Sequence, residues 1–401
     1  MQWGIVKTRI FRHLTILSAF GISSAKSAHI EIDAGPHPRT ESIMTVVAPG
    51  LSERGILESD DKKISGYYQK ASDDTVTFIV PSLSAGQKLT LREGDYYGQI
   101  ANKSSAVKEN DQILLNVRNK PVVTYQTTAR KSPRENLDPK FLRGGYLHPL
   151  FTPSGKTVTD DYALNHLHHH GVWTAWTKTS FDGREPDFWN MGQGKGKVDF
   201  VSLEKTWSGP DEAGLVSKLK QTDLTSGSPI DVLNETWTVR TYAAGKDFNI
   251  IDLESAQVCA TDKPLLLPVY HYGSIGIRGR EEWNGKDKAS FITSEKITDR
   301  NKANSQPARW IAMSGAVEGG TAGIAILSHP DNFRAPQPIR THPSEPFISF
   351  APQTNEAMSI QPGETYRMKY RFITFDGEPD AAKLEALWQD YAHPVKAVWK
   401  D

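Results

Sequence analysis

Residues 232–258, VLNETWTVRTYAAGKDFNIIDLESAQV, contain two alternating segments separated by a turn. Leu233 and Trp237 fall on the same side of an extended chain, because successive side chains of a strand point to opposite faces. Gly245 is typical of a turn, and a second alternating segment begins at Phe248. This stretch therefore predicts a long antiparallel hairpin with one buried face.

Short strand-like segments recur on both sides of this hairpin, whereas long helical periodicity is almost absent. One amphipathic helix is predicted at 380–391, where apolar residues share a stripe. About 280 residues of short strands predict an all-β fold, a large sandwich of two extensive antiparallel sheets. The other strands are predicted at 43–47, 76–80, 88–92, 113–117, 122–127, 268–272, 308–314, 322–327 and 366–375.

The strand-like segments divide into a small and a large domain. Residues 28–108 have Pro, Gly and Ser between short strands, which predicts a small immunoglobulin-like β-sandwich as an accessory domain. The polar run ANKSSAVKENDQ at 101–112 indicates the boundary. Residues 109–401 are then the large sandwich, the predicted catalytic domain, with the helix near its C-terminal end.

Residues 1–27 have the pattern of a secretory signal peptide. Three basic residues precede LTILSAFGI at 14–22, a short apolar core, and small residues follow it. We therefore expect a mature chain that begins near residues 26–29, and a periplasmic or secreted location.

The composition argues against several partners and chemistries. Lys plus Arg and Asp plus Glu each total 47, so the formal net charge is zero, which disfavours nucleic-acid binding by phosphate neutralisation. No apolar run approaches the roughly 20 residues that span a bilayer. The single cysteine, Cys259, can form no intrachain disulfide and is predicted to be a core residue. The sequence has no P-loop, dinucleotide-binding glycine motif, GxSxG or HExxH motif.

Four of the twelve histidines lie within five residues, at His166, His168, His169 and His170. Such a cluster is costly because each imidazole can be protonated near neutral pH and like charges repel, so the run is a candidate active site. On a strand, His166, His168 and His170 would point one way. On a helical turn, His166, His169 and His170 would share a face. Either arrangement suits acid–base catalysis or a divalent metal ion, for which His166 and His168 are the candidate ligands.

A second group is needed opposite the cluster, because enol-forming or ring-opening sugar chemistry uses a base and an acid on opposite sides of the ring. His271 and Tyr272 lie in the segment PVYHYGSIGIRG, and Asp187 lies in DFWN. We predict that the opposing group comes from these three residues.

Polar and aromatic residues are combined in three further loops. Tryptophan faces stack on the apolar faces of sugars, whereas Arg, Asp and Asn side chains bind hydroxyl groups or a carboxylate. Several such loops on one β scaffold favour a carbohydrate site over other small ligands. The predicted substrate-binding residues are Arg143, Tyr146, His148, Trp176, Trp189, Asn190, His329, Asp331 and Asn332.

Five segments, in the order in which they occur, resemble a bacterial family labelled "methane oxygenase PmoA". They are GGYLHPLFTPSGKTVTDDYALNHLHHHGVWTAWTK, DFWNMGQGKG, HYGSIGIRG, DRNKANSQPARW and AILSHPDNFRAP, and the resemblance covers about residues 113–394. It implies an exported protein of polysaccharide-degrading bacteria, with a β-sandwich similar to the galactose-mutarotase and polysaccharide-lyase folds. The label itself does not fit, because the methane monooxygenase subunit is an integral membrane protein and this chain has no spanning segment.

The histidine cluster of that family looks like Asp-His-Pro-His-His-Arg-Gly. In this chain Asn165, Leu167 and His170 stand in place of the Asp, Pro and Arg. The resemblance therefore makes His170 a variable neighbour and places the catalytic role on the matching histidines. The matching residues are His166, His168, His169 and Gly171.

The leading hypothesis is a carbohydrate-active enzyme that cleaves a glycosidic bond of a plant or algal glycan, by hydrolysis or by β-elimination. The lyase version needs no carboxylate pair, whereas most glycosidases use two carboxylates. A hydrolase remains open through Asp187 with Glu282 or Asp331. The alternatives are a sugar mutarotase or epimerase, and a non-catalytic glycan-binding protein.

Overall fold

The computed structural model describes Met1 and residues 28–95, 98–128 and 136–401. The predicted signal peptide, apart from Met1, lies outside the described residues. Strands account for 51% of the structure and helices for 7%, which confirms the predicted all-β class. Within the described ranges, no helix has the length and apolar character needed to span a membrane.

The strands and helices follow one another along the chain, and long connections precede and follow β11. In chain order they are β1 (His29–Asp33), β2 (Arg39–Val47), β3 (Arg54–Ser59), β4 (Ser65–Lys70), β5 (Thr75–Leu83), β6 (Lys88–Gly94), β7 (Ser104–Glu109), β8 (Gln112–Val117), β9 (Lys120–Gln126), β10 (Tyr146–Leu150), β11 (Val172–Ala175), β12 (Gly196–Trp207), β13 (Glu212–Asp223), β14 (Ile230–Tyr242), β15 (Phe248–Cys259), β16 (Leu265–Leu267), β17 (Ser274–Arg278), β18 (Ala289–Thr293), α1 (Arg300–Ala303), β19 (Trp310–Val317), β20 (Gly320–Ser328), β21 (Ile339–Thr341), β22 (Phe347–Phe350), β23 (Met358–Ile360), β24 (Tyr366–Asp376), α2 (Ala381–Ala392) and β25 (Lys396–Lys400). Single 3₁₀ turns occur at Pro139–Phe141, Met191–Gln193 and Glu281–Trp283.

Three large antiparallel sheets organise the strands. The module sheet has the order β2-β5-β4-β3-β6-β1-β25. The front sheet has the order β21-β22-β17-β11-β10-β9-β8-β7, and the back sheet has the order β12-β13-β14-β15-β24-β20-β19-β18. Strands β16 and β23 form a separate two-stranded ribbon.

The hairpin at 232–258 lies in the middle of the back sheet. It is formed by β14 and β15, and Trp237 lies opposite Ser255 in the register. Trp237 is fully buried in a core that also contains Leu147 of the front sheet and Leu253 of the back sheet. Because one apolar core joins the two eight-stranded sheets, the predicted large antiparallel sandwich is confirmed.

The helix α2 covers part of the back sheet on the side away from the front sheet. Its N-terminus is capped by Asp380, whose carboxylate accepts from the backbone N–H groups of Ala382 and Lys383. Leu384 and Trp388 are buried in a cluster with residues of β19, β20 and β24. The apolar stripe read from the sequence is therefore the docking face of the helix.

The structure differs from the sequence predictions in several details, which include the unpredicted strand β13. Residues 268–272 lie in a loop, so the polar and aromatic groups there sit beside a sheet and not within it. Strand β12 was missed because this edge strand buries few side chains and shows no clear alternation. The boundary predicted at 108/109 falls inside β7, and β25 from the C-terminal end completes the module sheet.

The module sheet closes over its own apolar core. Its strands are hydrogen-bonded into one sheet, in which the two edge strands β2 and β25 lie against each other. The predicted immunoglobulin-like module would have two stacked sheets. In the structure the seven strands pair continuously from β2 to β25, and the immunoglobulin-like arrangement stays a prediction.

Asp211 joins the module sheet to the back sheet. Its side chain is 6% exposed, and its Oδ2 accepts from the backbone N–H of Ile79 over 3.3 Å. Lys103 Nζ lies 3.7 Å from the Oδ1 atom. Burial raises the pKa of Asp211 to about 6, although the Lys103 charge opposes this rise.

We expect this carboxyl to make the protein less stable as pH rises from about 4 to about 6. The folded chain holds the proton more tightly than the unfolded chain, so ionisation penalises folding, by on the order of 2 kcal/mol. Asp211→Asn should remove this pH-dependent loss. The check is urea unfolding of both proteins at pH 4.5 and 7, with the exposed Asp247→Asn as a control. Parallel pH profiles for wild type and Asp211→Asn would contradict this expectation.

Candidate active site

The outer face of the front sheet, opposite the sandwich core, carries the candidate site. Arg278 of β17 and Phe347 of β22 lie opposite each other in adjacent strands. Their neighbours Ile277 and Ile348 pack in the core, and side chains alternate along a strand, so Arg278 and Phe347 face outward. Trp173 of β11 packs beside Phe347, with ring centroids 6.1 Å apart. These residues form the floor beneath the histidine-rich segment.

The histidine-rich segment is a series of tight turns. The backbone N–H of His166 donates to the carbonyl of Ala163, that of His169 donates to His166, and that of Tyr162 donates to His169. The strand interpretation of this run is therefore wrong. The turns stack the rings of His166 and His169, with centroids 4.7 Å apart, and His168 contacts both rings edge-on.

Arg278 is a fully buried cation beneath these turns. Its Nη1 donates to Glu345 Oε2 over 2.8 Å. Its Nη2 donates to the side-chain oxygens of Asn165 and Asn284, over 2.7 and 2.8 Å. Nη1 also lies 3.5 Å from His169 Nδ1, so the guanidinium is fixed by four polar partners, one of them a carboxylate.

Glu345 lies in the turn between β21 and β22, where two imidazoles approach its carboxylate. His166 Nδ1 is 3.2 Å from Glu345 Oε2, and His342 Nε2 is 4.0 Å from Oε1. The Nδ1 of His342 accepts from the backbone N–H groups of Ser344 and Glu345, which sets its neutral tautomer with the proton on Nε2. The carboxylate is therefore the point at which the arginine and the histidines meet.

We call this group the His–Glu–Arg centre. It comprises His166, His168, His169, Arg278, His342 and Glu345. The side chains of His166 and His342 are 34% and 26% exposed, so the centre opens to solvent on their side.

Burial keeps the imidazoles of the centre neutral. It lowers the pKa of His166, a shift that the Glu345 charge opposes and the Arg278 charge reinforces. Burial and the neighbouring imidazoles lower the pKa of His168 to about 3, and the same causes hold the pKa of His169 well below its ordinary value. Neutral imidazoles can accept a proton or bind a metal ion, but they cannot act as cationic acids.

His170 belongs to the protein interior and not to the centre. Its Nδ1 lies 2.7 Å from Asp161 Oδ1, and Tyr146 donates its hydroxyl proton to Asp161 Oδ2 over 2.9 Å. His170 and Tyr146 are both fully buried. The predicted substrate-binding role of Tyr146 is wrong because its hydroxyl is used inside the protein.

Asp187 and Asn190 shape a loop. The two oxygens of Asp187 accept from the hydroxyl of Thr177, from the backbone N–H groups of Trp189 and Asn190, and from the side-chain amide of Asn190. Four donors satisfy this carboxylate, so the predicted catalytic role of Asp187 is corrected to a structural one. The amide of Asn190 also donates to Tyr272 Oη over 3.3 Å.

Tyr270, His271 and Tyr272 form an aromatic wall in the loop before β17. Their ring centroids are 4.5–4.9 Å apart. A pocket of about 290 Å³ lies against the two tyrosines and the loop of Asp187 and Asn190. Burial lowers the pKa of His271, helped by the charge of Arg340.

Arg340 connects the aromatic wall with the centre. Burial lowers the pKa of Arg340, and Tyr272, Tyr270 and Glu345 oppose this shift, so all three groups lie within electrostatic range of its guanidinium. The same charge reinforces the lowering of the His342 pKa that burial causes. The structure thus brings His271 and Tyr272 within electrostatic range of the same cation as the histidine cluster, and their catalytic roles stay predictions.

Several predicted binding residues are buried and present no surface to a ligand. Arg143 donates to the backbone carbonyls of Gly145 and Thr174, and Trp176 donates to Gln257 Oε1. Trp189 is 1% exposed, beneath rings that include Tyr272. The predicted ligand contacts of Arg143, Trp176 and Trp189 are therefore wrong. His148 is half-buried and bonded to Thr159 Oγ1.

The His329 loop lies at the back sheet. His329 packs edge-on against Tyr391 of α2, and Asp331 pairs with Lys369 of β24 over 3.0 Å. Asn332 exchanges hydrogen bonds with the backbone of Lys369. These contacts are with back-sheet elements, so the loop is not the second wall of the front-sheet site. Glu282, the other carboxylate considered for hydrolysis, is exposed and pairs with Arg280.

Sequence reasoning missed three members of the centre. Arg278 lies in the quoted segment HYGSIGIRG, but nothing in the segment distinguishes a buried arginine from a surface one. His342 and Glu345 lie in THPSEP, which has no recognisable spacing. Only the pairing of β17, β21 and β22 brings these residues to the histidine turns.

Comparisons with known proteins found one matching family model and several solved structures with remote similarity to this chain. The model of one family of unknown function matches residues 112–389. A heparan sulfate lyase from Pedobacter heparinus is 10% identical, with 72% of this chain and 38% of that chain covered and a TM-score of 0.33. A glycosyl hydrolase family 38 protein from Enterococcus faecalis is 10% identical, with 94% and 48% covered and a TM-score of 0.47.

A GalM/aldose epimerase homologue from C. elegans is 9% identical, with 70% of this chain and 100% of that chain covered and a TM-score of 0.30. The chain spans less than half the length of the lyase and hydrolase structures. No curated protein matches the chain. Likenesses of this size carry no information about activity.

Proposed function

This chain belongs to the family of unknown function DUF6807, and from its His–Glu–Arg centre we propose that it is a carbohydrate-active enzyme that cleaves a glycosidic bond by β-elimination. The observation that carries the proposal is the convergence of neutral imidazoles on the buried Arg278–Glu345 pair at a solvent-facing opening. As part of the same proposal, the predicted signal peptide directs the protein to the periplasm or outside the cell.

The arrangement favours proton abstraction from carbon over hydrolysis by two carboxylates. Glycosidases commonly place two carboxyl groups across the scissile bond. The carboxylates considered for that role are not brought together. Asp187 is saturated by four donors, whereas Glu282 and Asp331 pair with Arg280 and Lys369. The centre itself combines one carboxylate, Glu345, with several imidazoles.

In β-elimination a neutral imidazole of the centre takes the proton from the carbon next to a sugar carboxylate. The electron pair of that C–H bond forms a C=C bond, the C–O bond β to the carboxylate breaks, and the leaving oxygen takes a proton from solvent water. The imidazolium then gives its proton to solvent and returns to the neutral form. The negative charge of Glu345 stabilises the imidazolium that forms within the centre, as a carboxylate does in a catalytic triad. Arg278 holds Glu345 in place throughout.

The substrate class follows from the lining of the site. Arg340 lies within electrostatic range of both the centre and the aromatic wall, and its Nη1 donates to Asn304 Oδ1 over 3.0 Å. A half-buried guanidinium with donors to spare suits a carboxylate of a uronic acid unit. Tyr270 and Tyr272 offer rings and hydroxyls to a neighbouring sugar.

The test is a screen of acidic and neutral glycans with the purified full chain. Polygalacturonate, alginate and a glucuronate-containing glycan represent the expected class, and starch and galactan are the neutral controls. We expect an acidic glycan to give new reducing ends together with the ultraviolet absorbance of an unsaturated uronate. Reducing ends without that absorbance would show hydrolysis, and binding without any product would show a glycan-binding protein. Either result overturns the proposal.

A further inference from the structure

We propose that the centre holds a zinc-class divalent metal ion on His166, His169 and Glu345. Each of these residues offers one ligand atom, and the three atoms lie within 4.8 Å of one another. Two imidazoles and one carboxylate are a ligand set that first-row metals such as Zn²⁺ take in catalytic sites. This metal site deepens the proposed function. The role of the ion rests on that function, whereas the binding of the ion does not.

The contact between His166 and Glu345 has the spacing of two ligands and not the alignment of a hydrogen bond. Nδ1 of His166 is buried and makes no hydrogen bond within the described ranges, although Glu345 Oε2 is only 3.2 Å away. Ligand atoms about 2.0–2.1 Å from a tetrahedral zinc ion are about 3.3 Å apart. An ion shared by the two atoms satisfies the orphaned nitrogen.

His169 is held in place for such a role. Its ring is 5% exposed and stacked between His166 and Phe347, with centroids 4.7 and 4.9 Å away. Trp173 closes a further side of the ring, at 5.0 Å. A ligand locked by packing loses little freedom when it binds an ion, which strengthens a metal site.

Arg278 contacts two of the proposed ligands, because its Nη1 lies 2.8 Å from Glu345 Oε2 and 3.5 Å from His169 Nδ1. Its Nη1 donates to Oε2 and orients the carboxylate, as outer partners of metal ligands commonly do. The positive charge of Arg278 repels a bound cation but attracts an anion. We therefore expect the coordination position that the three ligands leave open on the metal ion to take an anionic group. A uronate carboxylate meets that requirement. The ligand set leaves His168 for proton transfer, because both ring nitrogens of neutral His342 are already engaged.

This set differs from the pair His166 and His168 that the sequence pointed to. His168 contacts both rings of the set edge-on but does not join the group of converging ligand atoms among the residues described. Glu345, which comes from the turn between β21 and β22 at one edge of the front sheet, takes the place of His168. The tight turns explain this ligand set, because they place residues that are three positions apart, such as His166 and His169, on the same side of the backbone.

The experiment is a titration of the chelator-treated, tag-free full chain with ZnCl₂ by calorimetry. We expect one equivalent to bind to the wild type. We also expect His166→Ala, His169→Ala and Glu345→Gln each to weaken binding about 100-fold or more. His329→Ala is the matched control, because that half-buried histidine also lies near a carboxylate, Asp331, and should leave binding unchanged.

Two results would overturn the metal proposal. One is no stoichiometric zinc binding by the wild type, and the other is equal affinity in the wild type and the isosteric Glu345→Gln. Circular dichroism of each variant shows that it is folded, and Glu345→Gln keeps the test valid if an alanine variant fails to fold. Zinc binding without glycan turnover would overturn the proposed function alone. Turnover that persists in chelator, without zinc binding, would overturn the metal proposal alone.

Discussion

Replacement of Arg278 by methionine is expected to lower the free energy of unfolding by about 3–5 kcal/mol. Methionine is similar in length to the arginine stem, so little volume is lost. The cost arises because Glu345, with a side chain only 11% exposed, loses its charged partner at 2.8 Å. Asn165 and Asn284 lose the donor that joins them as well. Urea unfolding at pH 7 measures the difference.

Arg340→Met is the matched control for this prediction. Arg340 is a half-buried arginine on the neighbouring part of the front sheet, and its guanidinium donates to the neutral side chain of Asn304. We expect this change to cost about 1 kcal/mol or less, because no buried charge is left unpaired. Equal stabilities of Arg278→Met and Arg340→Met would show that the Arg278–Glu345 pair is not essential to the fold.

Glu345→Gln is expected to reduce glycan turnover by about 10²–10⁴-fold while the protein stays folded. The amide keeps the size of the side chain but removes the negative charge that meets His166, His342 and Arg278. A protonated imidazole formed during turnover then loses its stabilising partner. The measurement is kcat/KM on the acidic glycan identified in the screen.

His329→Ala is the control for the turnover experiment. This histidine packs on Tyr391 of α2 at the back sheet, so its loss should leave turnover within about twofold of wild type. If Glu345→Gln retained more than a tenth of the wild-type turnover, Glu345 would have no catalytic part. If His329→Ala lost activity as strongly as Glu345→Gln, the activity would not be specific to the front-sheet centre.

Some elements of the fold could be predicted because burial of one face makes apolar residues recur at a regular spacing in the sequence. The alternation around Trp237 predicted β14 and β15, and the stripe containing Leu384 and Trp388 predicted α2. Each of these elements buries one face, so its apolar residues recur with the period of the element. Strand β12 lies at a sheet edge with few buried residues, and it left no such pattern.

The site was predictable only in part because its residues come from distant turns. The histidine run drew attention by density alone, and three of its members do belong to the centre. Glu345 and Arg278 come from turns and strands that only the front sheet brings near the run. No local spacing in the sequence encodes that contact.

Residues that look functional can instead serve the fold. Asp187 beside an aromatic and an amide resembles a catalytic group, but four donors saturate it. Trp176 and Trp189 resemble sugar platforms, but both are buried. A sequence gives the type of a side chain and its neighbours along the chain, whereas exposure depends on what packs against it in three dimensions.

The central claim is that the centre removes a proton from carbon. The most direct measurement is the fate of that proton. An acidic glycan labelled with deuterium at the carbon next to its carboxylate is cleaved by the wild-type chain, and the products are weighed by mass spectrometry. The account predicts an unsaturated product that has lost the label to solvent. A cleaved product that retains the deuterium and carries an added water would contradict it.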